Sequence, residues 1–200
     1  MLCKGSKPLR SKGTSVDIID PDHELMAKVA RGDTVAYRTL VNRHLNGCVR
    51  FAQRMVGNRQ DAEDIVQDVC LKLWHEAPRW QPKAKLSTWL YRVLFNACID
   101  HKRKVIPFSH DALEEVPDTS KNIDDFILEQ QEAKQVKIAL EALPPRQRAA
   151  VLLSYYEERS NQDAADIMQM SLNAFQQLLF RARQQLKDAL LPHHKETHHG

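Results

Sequence analysis

The sequence predicts an all-α protein made of two small helical domains joined by a flexible acidic linker, the second ending in a helix-turn-helix. Three observations support this prediction. Apolar residues recur at i, i+3, i+4 and i+7 over most of residues 21–104 and 126–191, the spacing of one face of an α-helix. Residues 105–125 lose this periodicity and carry six acidic residues, two prolines and a single lysine. Towards the C-terminus, a short amphipathic segment, a tight turn and a longer amphipathic segment follow one another.

Composition limits the possible partners. The chain has 200 residues, 42% of them apolar and 28% charged, which suffices for two small domains that each have a core. The net charge of +3 is small, so nucleic-acid contacts would have to come from local clusters of charge. Four widely spaced cysteines without a CxxC pair predict neither a zinc site nor a disulfide framework, and we expect no cofactor. Since no apolar run is long enough to cross a bilayer, we expect a cytoplasmic protein without membrane insertion.

The first part of the chain is expected to contain a basic arm and then several helices. Residues 1–20 mix Lys, Ser, Gly and Pro without periodicity and are expected to be disordered. From Asp22 the pattern becomes helical, and a longer helix is expected to end at Gly57. Asp61 is expected to cap the helix that follows it.

The helix predicted over residues 61–74, DAEDIVQDVCLKLW, has an unusual outer face. Its apolar stripe is that of a core helix, but its polar face includes Leu71 among carboxylates. One interpretation is an ordinary surface helix, since exposed leucines are common. The other is a helix that docks on a basic partner. The candidate docking residues are Asp61, Asp64, Gln67, Asp68 and Leu71.

The next predicted helix, over TWLYRVLFNACIDHKRK, also has two distinct faces. Ser87 or Thr88 is expected to cap it. Its outer face interleaves aromatic, guanidinium and amide groups, and Tyr91 and Lys104 are expected to lie alongside. Such a face suits single-stranded nucleic acid, where bases stack on rings and cations neutralise phosphates. Alternatively, the tryptophans simply pack against each other. The candidate residues are Trp80, Trp89, Arg92, Asn96, Lys102 and Arg103.

The second domain, residues 126–191, is predicted to end in a helix-turn-helix. Ser160 and Asp163 form a capping box at the start of its short helix. The following helix buries an apolar stripe and presents amides, arginines and Phe180 outward, a pattern that suits insertion into the major groove of DNA. The candidate DNA contacts are Ser171, Asn173, Gln176, Gln177, Phe180, Arg181 and Arg183. The tail, residues 192–200, holds four histidines and is interpreted as a solvated terminus or, alternatively, a metal-binding segment.

Three stretches in this order resemble the extracytoplasmic-function (ECF) group of the sigma-70 family, the promoter-specificity subunits of bacterial RNA polymerase. They are DAEDIVQDVCLKLW, STWLYRVLFNACIDHKRK and LPPRQRAAVLLSYYEERSNQDAADIM with the helix after it. The resemblance covers about residues 22–191. It implies a non-enzymatic protein whose partners are core RNA polymerase, through the β′ coiled coil and the β subunit, promoter DNA and an anti-sigma factor.

The resemblance also implies a role for each candidate residue. The outer face of helix 61–74 would grip the β′ coiled coil. Asn96 would line the pocket for an unstacked base of the minus-10 element, with Trp80 beside it and Arg92, Lys102 and Arg103 on the DNA backbone. Gln176, Gln177 and Phe180 would contact minus-35 bases, and Arg181 a phosphate.

The sequence departs from the family at the start of the last helix, and two other classes stay open. The family pattern there is close to GTVKSR, whereas this chain reads NAFQQL at residues 173–178, so the minus-35 sequence cannot be predicted. A plain transcription regulator would use only the helix-turn-helix, with residues 20–104 as a sensor or dimerisation domain. An enzyme is disfavoured, because the sequence has no Gly-rich phosphate loop, HExxH or nucleophile motif.

Overall fold

The computed structural model describes residues 20–82, 84–105 and 124–191, which form eight α-helices and no strand. The helices are α1 (Pro21–Val29), α2 (Thr34–Val56), α3 (Arg59–Glu76), α4 (Leu86–Val105), α5 (Asp124–Ala142), α6 (Pro145–Val151), α7 (Asn161–Ile167) and α8 (Leu172–Leu190). A 3-10 turn, Ala77–Arg79, follows α3, and a π-helical turn, Leu152–Tyr156, extends α6. The all-α prediction is confirmed. Residues 1–19 of the predicted basic arm, residues 106–123 of the predicted linker and the histidine-rich tail, residues 192–200, lie outside the described residues.

Side-chain caps set where the helices of the first domain begin. The Asp33 carboxylate accepts hydrogen bonds from two backbone amides in the first turn of α2, and α2 ends at Gly57, whose φ of 100° is in the left-handed region. The cap of α3 is Asn58, not Asp61 as predicted. Asp61 lies three residues further on, where its backbone N–H donates to the Asn58 side chain at 2.8 Å and its carboxylate accepts from the Asn58 amide at 2.6 Å.

The start of α4 also differs from the prediction. The backbone N–H of Leu86 donates to the Asp20 carboxylate at 3.0 Å, so a residue far upstream caps this helix. The two residues predicted to cap it, Ser87 and Thr88, lie within the first turn of α4 and not at the capping position, and Thr88 is buried. Asp20 at the same time accepts from the backbone N–H of Asp22 at the start of α1. One carboxylate therefore joins the first helix to the fourth, a long-range contact that local sequence rules cannot predict.

The core of the first domain lies between α2, α3 and α4. Phe51 and Met55 of α2 and Leu94 of α4 are fully buried there. A second cluster joins α1 to the other end of α2, and within it the buried Asp22 carboxylate accepts from Arg43 and contacts the His44 ring. Buried carboxylates are generally paired in this way, because the partners offset part of the cost of removing the charge from water.

The second domain packs directly on the first, and one apolar cluster runs through both. Tyr91 of α4 is only 3% exposed and its ring packs edge-to-face on Phe51 with centroids 5.5 Å apart. The sequence had placed Tyr91 on the outer face of its helix. That prediction was wrong, because the second domain covers this part of α4.

The helix-turn-helix is formed by α7 and α8. The Ser160 hydroxyl oxygen accepts from the backbone N–H of Asp163 at 3.0 Å, which confirms Ser160 as the predicted cap, and the same hydroxyl donates to the Asp163 carboxylate at 2.8 Å. Gln169 takes the left-handed turn position, with φ 54°, that a glycine would occupy without strain. Phe175, Leu179 and Ala182 are the buried residues of α8. None of the described helices is long and apolar enough to cross a membrane.

The burial of two cysteines gives a test of this packing. Burial raises the pKa of Cys48 and of Cys98 to about 12. At pH 8 only about one such thiol in ten thousand is then ionised, and the thiolate is the reactive form. We expect iodoacetamide to leave both residues unmodified in the folded protein and to label both in concentrated urea, as read by peptide mass spectrometry. Equal labelling rates in the two conditions would show that α2 does not pack on α4 as described.

Candidate nucleic-acid and partner interfaces

The outer face of α3 carries an apolar side chain ringed by polar ones. Leu71 is 51% exposed, and Asp64, Gln67 and Asp68 are exposed around it. The neighbouring groove between α2 and α3, about 610 Å³ in volume, includes Gln67 together with apolar side chains of both helices. The structure thus brings four of the five predicted docking residues together on one accessible surface.

The fifth predicted docking residue, Asp61, is engaged within the domain. Besides its bonds to Asn58, its carboxylate lies 3.0 Å from Nε2 of His101 on α4. Hydrogen bonding from Asn58 lowers the pKa of Asp61, and the contact with His101 lowers it further. Asp61 therefore helps to begin α3 and to hold α4 against it, a role distinct from that of the exposed carboxylates.

The predicted nucleic-acid face of α4 is only partly free. Asn96 and Arg103 are exposed. Trp80 and Trp89 pack edge-to-face with centroids 5.5 Å apart, and both are partly buried against the apolar clusters, as the packing alternative predicts. The buried indole Nε1 of Trp80 has no hydrogen-bond partner among the described residues.

Two basic residues of this face meet the second domain. Nε of Arg92 donates to the backbone carbonyl of Asp166, in α7, at 3.2 Å. Burial lowers the pKa of Lys102, and the positive charge of Arg148 in α6 lowers it further. The predicted DNA-binding cations therefore divide into Arg103, which is exposed, and a pair that lies at the contact between domains.

The outer face of α8 is largely accessible. Phe180 is 61% exposed, and Gln176 and Arg181 are exposed. The amide of Gln177 donates to Asn173 at 3.5 Å, a weak bond between two exposed side chains. The outward face predicted to contact DNA is therefore present as an amide-rich surface centred on the exposed Phe180.

Two other predicted DNA contacts in this domain also have partners within the protein. The Ser171 hydroxyl oxygen accepts from the backbone N–H of Ala174 at 3.2 Å and so caps α8. The Arg183 guanidinium lies 5.3 Å from the centre of the Tyr155 ring, in a cation–π contact. Both residues therefore have structural roles in the second domain.

Sequence reasoning missed the residues that join the domains. The Tyr91 hydroxyl donates to the Glu157 carboxylate, and the Arg159 guanidinium lies 4.7 Å from the centre of the Tyr91 ring. Arg148, 3% exposed, donates to backbone carbonyls of its own domain and, through Nη1, to the Met55 carbonyl of α2 at 2.9 Å. An arginine among the buried residues of α6 was the one sequence signal that could have indicated this role.

Comparison with protein families accounts for both halves of the chain. The sigma-70 region 2 model matches residues 40–105, and the sigma-70 region 4 model matches residues 134–186. The region 2 match covers most of the segment that a plain transcription regulator would use as a sensor, which disfavours that alternative. The two helical domains are thus those of a sigma factor of the sigma-70 type.

Similarity to individual proteins shows which group of sigma-70 factors the chain belongs to. The ECF RNA polymerase sigma factor SigE of Mycolicibacterium smegmatis is 30% identical over 194 residues, which span 92% of this chain and 75% of SigE. The chain belongs to the ECF sigma factors of the sigma-70 family, which direct RNA polymerase to promoters in transcription initiation.

Two solved structures share the fold. CnrH, solved in complex with the cytosolic domain of CnrY, has a TM-score of 0.67 and 24% identity, covering 86% of this chain and 97% of CnrH. The sigma factor RpoE of Bartonella quintana, solved with the anti-sigma factor NepR, has a TM-score of 0.59 and 24% identity, covering 77% of this chain and 96% of RpoE. The predicted fold of two helical domains is therefore confirmed.

A comparison of Asp61 with the exposed Asp64 tests whether Asp61 stabilises the fold. We expect Asp61→Ala to lower the melting temperature, because it removes the partner of Asn58 and His101, and Asp64→Ala to leave the temperature unchanged. The folded-state pKa of Asp61 is depressed below the usual value of 3.8. Its stabilisation is thus present above pH 3.8 and is lost as the pH falls through the lower, folded-state value. Calorimetry across this pH range measures the difference, and equal melting temperatures for the two variants would contradict the assignment.

Proposed function

We propose that the chain binds core RNA polymerase through the outer face of α3, reads the minus-10 element with α4 and reads the minus-35 element with α8. The observation that carries this proposal is the exposed Leu71 at the centre of an acidic surface in the family's region 2. An apolar side chain surrounded by charge is suited to a protein interface, where the centre is desolvated and the rim stays polar. The partner surface would be basic, as in the β′ coiled coil that the family resemblance implies.

The mechanism we propose requires no chemistry from this chain. The polymerase makes RNA, while this subunit positions it and stabilises the melted promoter by binding an unstacked base more tightly than it binds duplex DNA. The exposed amide of Asn96 is suited to bonding the edge of such a base. Trp89 lies about two helical turns before Asn96 on α4, and Trp80 packs edge-to-face against it.

For the second domain, we propose major-groove readout by α8. Gln176 and Gln177 carry amides that can bond adenine, and Phe180 can contact a thymine methyl group. Arg181 is exposed and suited to a phosphate. Residues 21–104 and 126–191 would then be the two DNA-reading domains, acting in the cytoplasm. An anti-sigma factor is the regulatory partner we propose, since RpoE of B. quintana, which shares the fold, was solved in complex with the anti-sigma factor NepR.

The docking role of Leu71 can be separated from a role in stability. We expect Leu71→Ala to weaken binding to core polymerase about tenfold, as for an apolar residue at the centre of an interface, and to leave the melting temperature unchanged. Val35→Ala is the matched control, since Val35 is also an exposed apolar residue, 71% exposed, on α2. Fluorescence anisotropy with labelled protein and purified core polymerase gives the affinities. A lower melting temperature with unchanged affinity would mean that Leu71 supports the fold and does not dock.

The base-reading role of Asn96 predicts a defect at one step of initiation. We expect Asn96→Ala to reduce open-complex formation about tenfold, since a good base contact gives discrimination of that order, with initial promoter binding little changed. A promoter is first found by run-off transcription with core polymerase over a promoter library. Permanganate reactivity of promoter thymines then measures melting, and gel shifts on duplex DNA measure initial binding.

Asn42→Ala, at an exposed asparagine of α2, is the control for this experiment. Equal losses in melting and in initial binding would argue against a base pocket at Asn96. Failure of the unaltered protein to start transcription at any promoter in the library would contradict the proposed function as a whole.

A further inference from the structure

The segment that connects α3 to α4 carries Trp80, the aromatic residue proposed to lie beside the unstacked base. The described residues of this connecting segment are 77–82 and 84–85. The buried indole Nε1 of Trp80 has no hydrogen-bond partner among the described residues, so the ring is held by packing. It packs on Trp89, in the first turn of α4, and on the apolar cluster that α1 shares. The place of Trp80 therefore depends on how α1 and α4 are held together.

The first helix, α1, lies against both ends of the connecting segment. Met26 of α1 shares a buried cluster with Ala77, in the 3-10 turn, and with Leu86, the first residue of α4. Nε2 of His23 lies 3.3 Å from the backbone carbonyl oxygen of Ala84, which can only accept, so the ring donates this bond. The region 2 match begins at residue 40, so the helix that supports the segment precedes that match.

One carboxylate, that of Asp20, bonds to the backbone of both helices. Oδ1 accepts from the N–H of Asp22 at 3.1 Å in the first turn of α1, and Oδ2 accepts from the N–H of Leu86 at 3.0 Å at the start of α4. The Asp20 side chain is only 13% exposed. Each oxygen thus serves one helix, which requires a short side chain with two acceptor oxygens. Aspartate has two, whereas asparagine has one.

We propose that Asp20 is a positioning residue for minus-10 readout, which holds the connecting segment, and with it Trp80, in the place where the unstacked base binds. This inference rests on the proposed function of α4. Asp20 itself would not contact DNA, because its carboxylate is largely buried, is bonded to two backbone donors and would repel a phosphate. Its effect is on preorganisation, since a ring that is already in place need not be ordered when DNA binds.

Asparagine at position 20 separates the two bonds of the carboxylate. Its one acceptor oxygen can serve only one helix, and we expect it to stay on the N–H of Asp22, two residues away, because that bond closes the shorter loop. The cap of α1 would then be kept, and the bond to Leu86 would be lost. Asp20→Asn thus tests the link to α4, while Asp20→Ala removes both bonds.

Asp33 offers a matched control, because its carboxylate caps α2 and not α4. It accepts from the backbone N–H groups of Val35 and Ala36 at 2.9 and 3.0 Å. Asp20→Asn and Asp33→Ala each remove the cap of one helix, so we expect both to lower the melting temperature by a similar amount, about 3 °C. Only the change at Asp20 should disturb the connecting segment.

The experiment compares the unaltered full-length chain with Asp20→Asn, Asp20→Ala and Asp33→Ala. Circular dichroism gives the melting temperature of each free protein. Hydrogen exchange read by mass spectrometry measures opening at the backbone amide of Leu86, the donor to Asp20. Fluorescence anisotropy gives the affinity for core polymerase. Permanganate reactivity of thymines measures melting by each holoenzyme at the promoter found by run-off transcription.

We expect both Asp20 variants to speed exchange at the Leu86 amide about tenfold, since a hydrogen bond to a charged group contributes about that factor. They should reduce promoter melting about tenfold, the contribution of one base stacked on an aromatic ring. Their affinity for core polymerase should be unchanged. Asp33→Ala should match the unaltered protein in exchange at Leu86, polymerase affinity and promoter melting, and differ only in its lower melting temperature.

Equal losses of promoter melting in Asp20→Asn and Asp33→Ala would show that stability alone is involved and would overturn the proposal. Unchanged exchange at Leu86 in the Asp20 variants would overturn it too. Normal promoter melting in these variants, with a loss in Asn96→Ala, would reject the role of Asp20 and leave the proposed function intact. Failure of the unaltered holoenzyme at every promoter would contradict the proposed function, and this inference with it.

Discussion

The guanidinium of Arg148 joins the two domains by donating to backbone carbonyls near the ends of α5 and α2. It donates to the Leu140 and Glu141 carbonyls at the end of α5, and across the domain boundary to the Met55 carbonyl at the end of α2. Burial lowers the pKa of Arg148, and the nearby Glu141 carboxylate opposes this effect. A buried cation is tolerated only when its donors are satisfied, so α2, α5 and α6 must meet in one geometry. The packing of the second domain on the first depends on this constraint.

In this packing, α4 contacts other helices on two of its faces. One face packs on α2 and α3 in the core of the first domain, and part of the other lies against α7. Polar and charged groups suited to nucleic acid are also suited to an intramolecular contact, because a backbone carbonyl and a phosphate oxygen accept the same arginine donor. At Arg92 the second domain and DNA would compete for the same guanidinium, since its partner here is the Asp166 carbonyl.

The DNA-reading helix of the second domain depends less on the domain contact. Its cap, Ser171, and its buried stripe around Phe175 are formed within the helix-turn-helix itself. The residues that depart from the family pattern at the start of α8 divide by face. Phe175 is buried, whereas Asn173, Gln176 and Gln177 are exposed. The departure therefore changes the chemistry of the outward surface while a buried aromatic residue anchors the helix.

The sequence by itself determined the helical class, the helix-turn-helix with its Ser160 cap, and the exposed Leu71, because these follow from local periodicity and from side chains that bond within a few residues. It also identified the family through three stretches of sequence. Its errors were at Asp61, where Asn58 three residues earlier is the cap, at the start of α4, which Asp20 caps, and at Tyr91, which the second domain covers. Only the tertiary structure decided that Asp20 caps α4, that Arg148 bridges the domains and that Arg92 faces α7. Contacts between residues distant in sequence depend on how helices pack, and neither helical periodicity nor capping rules specify that packing.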